Sequence, residues 1–441
     1  MNNSESKGIT KISISGFKSI ANECSIEIRP LTILAGANSS GKSSIMQPIL
    51  LMKQTLESST DYGALRLSGD NLNFTSAKQI LSYSSKSEQT DCLTVAMELA
   101  NSYKFKNTFK KLPNKAIDLI ETIYHDEDGE LRAVIDIDNL DIIELLPQEL
   151  KKPSEVGNYN WKAIRDFCFI TFRMYDRNNV VLGDIQFLFL GNYRFAKANI
   201  RFAEEIQKII HVQGLRSLER VLPVTGIGQN FSGNFEKYIA SLIYSWQISE
   251  SDQLQVLNAY LHTLTLSKKI EATEINDTQI ELKVSRTFDS DDMVNIVDVG
   301  SGVSQILPVL VALVAAEPEQ LVYLEEPEIH LHPRAQANLG EIIVDAANRG
   351  VRVVLETHSD LLLRRIQSLV AEDKISADKA ILHWFSRDEH GFTQVTSTPL
   401  NATGGYGDPD FPLDFSDVFL DEEGRYLEAA SEKRWKEQNE Y

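Results

Sequence analysis

Leu31-Thr32-Ile33-Leu34-Ala35-Gly36-Ala37-Asn38-Ser39-Ser40-Gly41-Lys42-Ser43-Ser44 is an apolar run that feeds a G-x-x-x-x-G-K-S loop, with a helical pattern behind it. Strand, glycine loop and helix in that order make a phosphate cradle. The glycines let the backbone turn its N–H groups toward a phosphate, the lysine reaches the terminal phosphates and the serine hydroxyl ligates Mg2+. Gly36, Asn38, Ser39, Ser40, Gly41, Lys42, Ser43 and Ser44 are therefore the expected nucleotide contacts, with Ser43 also on the metal. A glycine-rich turn ahead of a helix is the plainer reading, and it leaves the Lys-Ser pair unexplained. Pro48 lies inside the following helix and predicts a kink or an end to its first segment.

A site of this kind needs acids at a strand end, and one is found far downstream. Leu321-Val322-Tyr323-Leu324 is a short apolar strand that runs into Glu325-Glu326-Pro327-Glu328. Two adjacent carboxylates there suit an ATPase: Glu325 holds Mg2+ through its water shell, and Glu326 orients and polarises the attacking water. Pro333 to Asn348 reads as a helix with Gly350 just past its end, and Val351 to Leu355 as a second buried strand. That strand ends in Glu356-Thr357-His358-Ser359. His358, at a strand tip beside the acids, is placed to reach a γ-phosphate and the catalytic water. His330 and His332 point the same way on an extended segment and could share a metal, but no cysteine is near to complete a set. A turn that contacts a partner subunit is the better reading.

The whole chain of 441 residues is 42% hydrophobic and 24% charged, ordinary globular material with room for two or three cores. Three scattered cysteines, Cys24, Cys92 and Cys168, argue against a disulfide framework and suit a reducing cytoplasm. Met1 to Lys7 is polar, and the longest apolar run, Ile306 to Ala316, is too short to span a bilayer. A cytoplasmic protein with no membrane association is expected. The net charge of −19 opposes general nucleic-acid affinity, so any DNA contact must be local. The best candidate is Lys104, Lys106, Lys110, Lys111 and Lys115 with Tyr103, Phe105 and Phe109 interleaved. A solvated face with its aromatics turned inward explains that stretch equally well.

Three blocks are expected. Residues 1–100 hold strands at Thr10 to Ser15 and Cys24 to Arg29 and then the phosphate loop. Residues 101–290 form a compact mixed insertion, with a charged helical stretch from Asn114 to Leu150, strands at Asp166 to Met174 and Val180 to Leu190, and helices at Phe202 to Ile210 and Phe235 to Ser249. Residues 291–441 carry the remaining chemistry, with late strands at Lys379 to Ser386 and Phe392 to Ser397. Strand and helix alternate around the site, which predicts an α/β fold with a largely parallel sheet. No heptad repeat is sustained, so no long coiled coil is expected.

Taken together, the phosphate loop, Ser301-Gly302-Val303-Ser304-Gln305, Leu324-Glu325-Glu326-Pro327-Glu328-Ile329-His330-Leu331-His332-Pro333 and Glu356-Thr357-His358-Ser359 resemble the ABC/SMC/RecF class of ATPase heads. Within that class the chain is similar to the OLD-like group of antiphage-defence ATPases, including subunits of Septu-type and PARIS-type systems. Gly214-Leu215-Arg216 and Val221 to Gly226 carry the same likeness. The resemblance implies an ABC-type head that binds ATP and Mg2+. Lys42 and Ser43 would be its Walker A pair, Glu326 its catalytic glutamate and His358 its switch histidine. Ser301 and Gly302 would form part of a signature that caps the nucleotide of a second protomer. Glu325 stands where the class more commonly has aspartate, and Val303 and Ser304 replace the glycine-rich part of the usual signature. Gln213 and Gln47 are both possible Q-loop residues.

The implied assembly is a homo-oligomer, a dimer or more, that controls an effector acting in trans, expected to be a nuclease. The tail after His358 is shorter than the Toprim domain of OLD-like nucleases. Asp414, Asp417, Asp421, Glu422 and Glu423 read as a solvated acidic surface, so no intrinsic nuclease is expected. A RecF-like repair ATPase that binds DNA ends, and a transporter ATPase, are the alternatives within the same fold.

Overall fold

The computed structural model describes residues 8–83, 89–100, 102–113, 117–135, 160–176, 178–184, 194–228, 230–286, 292–407 and 424–431. The antiparallel pair β1 (Ile9–Ser15) and β2 (Cys24–Glu27) precedes β3 (Leu31–Gly36), which runs into the phosphate loop and α1 (Lys42–Leu56). β4 (Cys92–Leu99), β5 (Lys104–Lys110), β6 (Asp118–Asp126) and β7 (Gly129–Val134) extend the first pair into a six-stranded antiparallel sheet ordered β2-β1-β4-β5-β6-β7. This sheet runs without a break across residue 100, where the first and second sequence blocks were divided.

β8 (Asn160–Asp166), β9 (Phe169–Tyr175) and β10 (Val181–Asp184) form a small sheet, followed by α2 (Arg194–Gln207), β11 (Ile210–Val212) and β12 (Leu222–Pro223). Next come α3 (Ile239–Ile248), α4 (Asp252–Thr263), β13 (Ile270–Asn276), β14 (Gln279–Ser285) and β15 (Met293–Asn295). The last third alternates α5 (Ser301–Ala315), β16 (Leu321–Glu325), α6 (Pro333–Asn348), β17 (Arg352–Glu356) and α7 (Asp360–Ala371), and closes with the hairpin β18 (Ala380–Arg387) and β19 (Thr393–Pro399).

The central sheet is ordered β11-β16-β17-β3-β18-β19, with its first five strands parallel and β19 antiparallel at the edge. Every residue of β3 is buried, as a strand covered on both faces requires. The period of two divides it: Leu31, Ile33 and Ala35 join the core shared with α3 to α7, while Leu34 faces α1 and the β1 to β7 sheet. The alternation of β16, α6, β17 and α7 brings β16 and β17 side by side in parallel, so their carboxyl ends lie level with the end of β3. The result is an α/β fold of mixed sheets and helices, with the phosphate loop at the carboxyl end of the parallel strands. Among the described residues the longest helix is the 16-residue α6, and no long coiled coil is present.

Two local expectations are corrected. The helix expected from Asn114 to Leu150 is instead the β6-β7 hairpin over residues 118–134 of its described part. Ile120, Thr122 and Ile123 favour an extended chain, and Asp128-Gly129, with Gly129 at φ 111°, supplies the hairpin turn. α1 does not end at Pro48 but continues to Leu56, because Ile45, Met46, Ile49, Leu50, Leu51 and Met52 are buried and packing outweighs the lost hydrogen bond. The basic stretch lies on β5. Phe105 and Phe109 point into the core, while Lys104 pairs with Glu98 at 3.0 Å and Lys110 with Asp91 at 3.2 Å. Lys115 and the acids from Asp414 to Glu423 lie outside the described residues. No helix among the described residues is long and apolar enough to cross a membrane.

Candidate functional site

β3 ends at Gly36 with φ 136°, where a Cβ would sit 2.1 Å from the Phe385 carbonyl oxygen of β18. Only glycine fits, and the turn it makes starts the phosphate loop. Gly41, at φ 109°, precedes α1, so Lys42, Ser43 and Ser44 form the first turn of a helix whose N–H groups open toward the loop. Asn38 and Ser39 are exposed at the loop tip, whereas Ser40 is buried, its Oγ without a hydrogen-bond partner. A buried hydroxyl left unpaired in an anion cradle is a donor with a place for a phosphate oxygen. The Lys42 ammonium donates to the Gly36 and Ala37 carbonyls, both at 2.9 Å. Burial pulls its pKa down, while Glu356 and Glu326 act to hold the charge.

The acids converge on this loop from the ends of β16 and β17. Glu326 adopts φ 42°, a left-handed backbone conformation uncommon for a side-chain-bearing residue, and its N–H donates to the Glu356 carbonyl at 2.8 Å. Its carboxylate lies 3.5 Å from His358 Nε2. Burial, and then the Lys42 charge, lower the His358 pKa against the pull of Glu326, which favours a neutral imidazole able to accept a proton. Glu328 fixes the Thr357-His358 segment: its Oε1 accepts from Thr357 Oγ1 at 2.6 Å and from the His358 N–H at 3.0 Å. Ser359 then caps α7 through the Leu362 N–H.

Glu325 and Glu356 occupy paired positions on the two strands and have different partners. Glu325 Oε1 meets His211 Nε2 at 3.1 Å and its Oε2 accepts from the Gly214 N–H at 3.1 Å. Burial pushes the Glu325 pKa up, but these contacts and Arg216 more than offset it. Glu356 accepts from Ser43 Oγ at 2.9 Å and from the Tyr323 hydroxyl at 2.7 Å. Burial pushes its carboxyl up to about 7.

The motif that names His358 contains Glu356, yet sequence reasoning gave Glu356 no role; the signal was its place at the carboxyl end of a buried strand. Lys18 and Arg387 were also missed. They line a cleft of about 300 Å³ with Ser39, Ser40, Lys42 and Ser43. Lys18 Nζ donates to Gln47 Oε1 at 2.6 Å, and Arg387 Nε to the Ser39 carbonyl at 2.6 Å. Nothing local in the sequence marks either, because one precedes the loop and the other follows it by more than three hundred residues.

An adjoining cavity of about 590 Å³ is lined by Ser43, Gln47, Gln213, Glu325, Glu326 and Glu356 among others, so both candidate Q-loop residues face the same space. Ser301 and Gly302 open α5. A Cβ on Gly302 would lie 3.5 Å from the His330 carbonyl, so this turn packs against the segment after Glu326 within the same chain. His332 caps α6, its Nδ1 accepting from the Arg334 N–H at 3.4 Å.

Comparison with known families agrees with the geometry. Residues 8–167 match the model described as "AAA ATPase domain", and residues 222–364 match that described as "AAA domain, putative AbiEii toxin, Type IV TA system". Both family models are of AAA-type domains, and an ATPase of that broad class is what they support. The two matches cover the phosphate loop on one side, and the acids and His358 on the other. No curated protein matches the sequence.

Similar solved structures include the Smc head bound to the C-winged helix domain of ScpA, at 12% identity and TM-score 0.47, covering 89% of this chain and 98% of that one. The SMC head domain from Thermotoga maritima aligns at 11% identity and TM-score 0.39, covering 89% and 99%. The Pyrococcus furiosus Smc head domain with an extended coiled coil, bound to the C-terminal domain of ScpA, aligns at 13% identity and TM-score 0.48, covering 89% and 96%.

Proposed function

We propose that this ATPase hydrolyses ATP in a site closed by a second copy of the chain, and that the closed state controls a partner effector, a nuclease, in antiphage defence. The observation that carries the hydrolytic part is the Glu326 carboxylate 3.5 Å from His358 Nε2, with both side chains partly exposed above the phosphate loop. Glu326 takes the proton of the attacking water and His358 senses the γ-phosphate. Lys42 exchanges its carbonyl contacts for phosphate oxygens, and the unpaired Ser40 hydroxyl donates to the same group. Mg2+ would be held at Ser43 with a carboxylate from the strand ends, and when bound it neutralises developing phosphate charge.

Ser301 and Gly302 open a helix tied to the catalytic loop, so a partner bound there feels the state of the site. Closure draws on the differential affinity of the two states for nucleotide, a coupling of about 1–3 kcal/mol in such switches. Effector control and the defence role come from the sequence resemblance. The repair alternative needs a basic groove, and the best basic stretch has Lys104 and Lys110 paired with acids.

The test is expression of the untagged protein with its native neighbouring gene, as wild type and Glu326→Gln, with and without ATP. A complex with a nuclease whose activity follows nucleotide state supports the reading. A monomer that takes up no partner and gains DNA affinity with ATP refutes it.

A further inference from the structure

Resting on the nucleotide reading, we propose that the carboxylate serving the nucleotide's divalent cation beside Ser43 is Glu356, and that Glu325, the expected metal residue, instead latches the loop after β11. The two acids sit opposite one another at the ends of β16 and β17, so reach alone does not separate them. Their partners do. Both oxygens of Glu325 are engaged by the segment following α2, Oε1 with His211 and Oε2 with the Gly214 N–H. Gly214 packs in ordinary van der Waals contact with Glu325, a Cβ there standing 3.7 to 3.8 Å from it. His211 is held in turn by Asn71 at 3.3 Å and stacks on Tyr323 with a centroid distance of 5.3 Å. Glu325 is thereby turned toward β11.

Glu356 is buried, with both oxygens engaged, but unlike Glu325 it lines the phosphate-loop cleft as well as the adjoining cavity. The Tyr323 hydroxyl donates to Oε2, while Oε1 receives the proton of Ser43 Oγ. A serine hydroxyl binds a cation through its lone pairs, and in doing so its proton must go elsewhere. At 2.9 Å, Glu356 accepts that proton, aims the lone pairs away from β17 and sets a carboxylate charge beside the ion. Both donors are oxygen, as a hard cation requires. Among the described residues no three His, Cys, Asp or Glu side chains gather into a cage, which fits an ion that keeps waters and phosphate oxygens as its other ligands.

Calorimetric titration with a non-hydrolysable ATP analogue, in Mg2+ and in EDTA, separates the two assignments. The wild type gains affinity from Mg2+. Glu356→Gln, which keeps an oxygen acceptor for Ser43 but loses the charge, shrinks that gain about tenfold without weakening metal-free binding, whereas Glu325→Gln keeps it within about threefold. A gain preserved in Glu356→Gln and lost in Glu325→Gln overturns the assignment. Where Glu356→Gln does not fold, Glu356→Asp serves in its place: its shortened reach lowers the gain, and an undiminished gain overturns the assignment. Wild type that binds no analogue in either condition removes the nucleotide reading itself, and this inference with it, before any variant is compared.

Discussion

The Nε of Arg216 donates to the main-chain carbonyl of Gln305 at 2.7 Å, tying the loop after β11 to the helix that begins with Ser301 and Gly302. The same guanidinium reaches the carbonyls of Gln213 at 2.8 Å, Glu325 at 3.1 Å and Glu326 at 3.3 Å, and Arg216 is only 2% exposed. One planar fork thus holds the helix opened by Ser301 and Gly302 in register with the Glu325-Glu326 strand end. Arg216→Lys keeps the charge and loses the fork. Expected are a fall in kcat of about tenfold or more with a smaller change in ATP affinity, and a stability loss of ~3 kcal/mol in urea titration. Unchanged turnover in a destabilised variant limits Arg216 to holding the fold.

Glu326→Gln preserves the shape of the strand end and removes the base. ATP binding is retained and phosphate release falls about 100-fold or more. A variant that hydrolyses ATP within a few fold of wild type assigns proton abstraction to another group.

Ser40→Ala deletes a buried hydroxyl that has no partner. An unsatisfied buried polar atom costs about 1–3 kcal/mol, so the ligand-free variant should be as stable as wild type or more so, with weaker ATP affinity. A loss of stability with unaltered affinity means that the hydroxyl serves the fold alone.

His383, on β18 behind the loop, is buried between the Glu27 carbonyl, to which Nε2 donates at 2.8 Å, and the Ser397 hydroxyl, whose proton Nδ1 accepts at 2.6 Å. Burial lowers its pKa from 6.5 to about 4. Between those values the unfolded chain binds the extra proton and the native one does not. This contribution is therefore fully present above pH 6.5 and is lost as pH falls toward 4, up to ~3 kcal/mol in all. Chemical denaturation of His383→Gln across that window should show a shallower loss than wild type. Parallel profiles place the acid sensitivity elsewhere.

The phosphate loop, the Glu325-Glu326 strand end and the His358 strand were legible in the sequence because each joins a short apolar run to residues of distinctive chemistry. β16 and β17 fall within a residue or two of their expected spans, and α6 matches fully. The Asn114 to Leu150 stretch misled because its charges hid the alternation of a strand with one solvated face, and the Asp128-Gly129 turn was overlooked. The contacts of Glu325 with His211 and Arg216, and of Glu356 with Ser43, were not legible, since they join residues more than a hundred positions apart that meet only after β11, β16, β17 and β3 pair. Lys18 and Arg387 were hidden for the same reason: nothing beside either in the chain points to a phosphate.

β3, the strand that launches the phosphate loop, has β17 on one side and β18 on the other, both from beyond residue 350. During synthesis the loop therefore leaves the ribosome early, on a strand with two unpaired apolar edges, and waits for most of the chain before either neighbour exists. An N-terminal fragment that stops short of β17 has the full G-x-x-x-x-G-K-S signature but no sheet to hold it, and its exposed edges invite pairing with other chains. Nucleotide cannot nucleate the fold of the nascent protein; the cradle is among the last parts to be assembled, and a prematurely terminated product is an aggregation hazard rather than a partly working ATP binder.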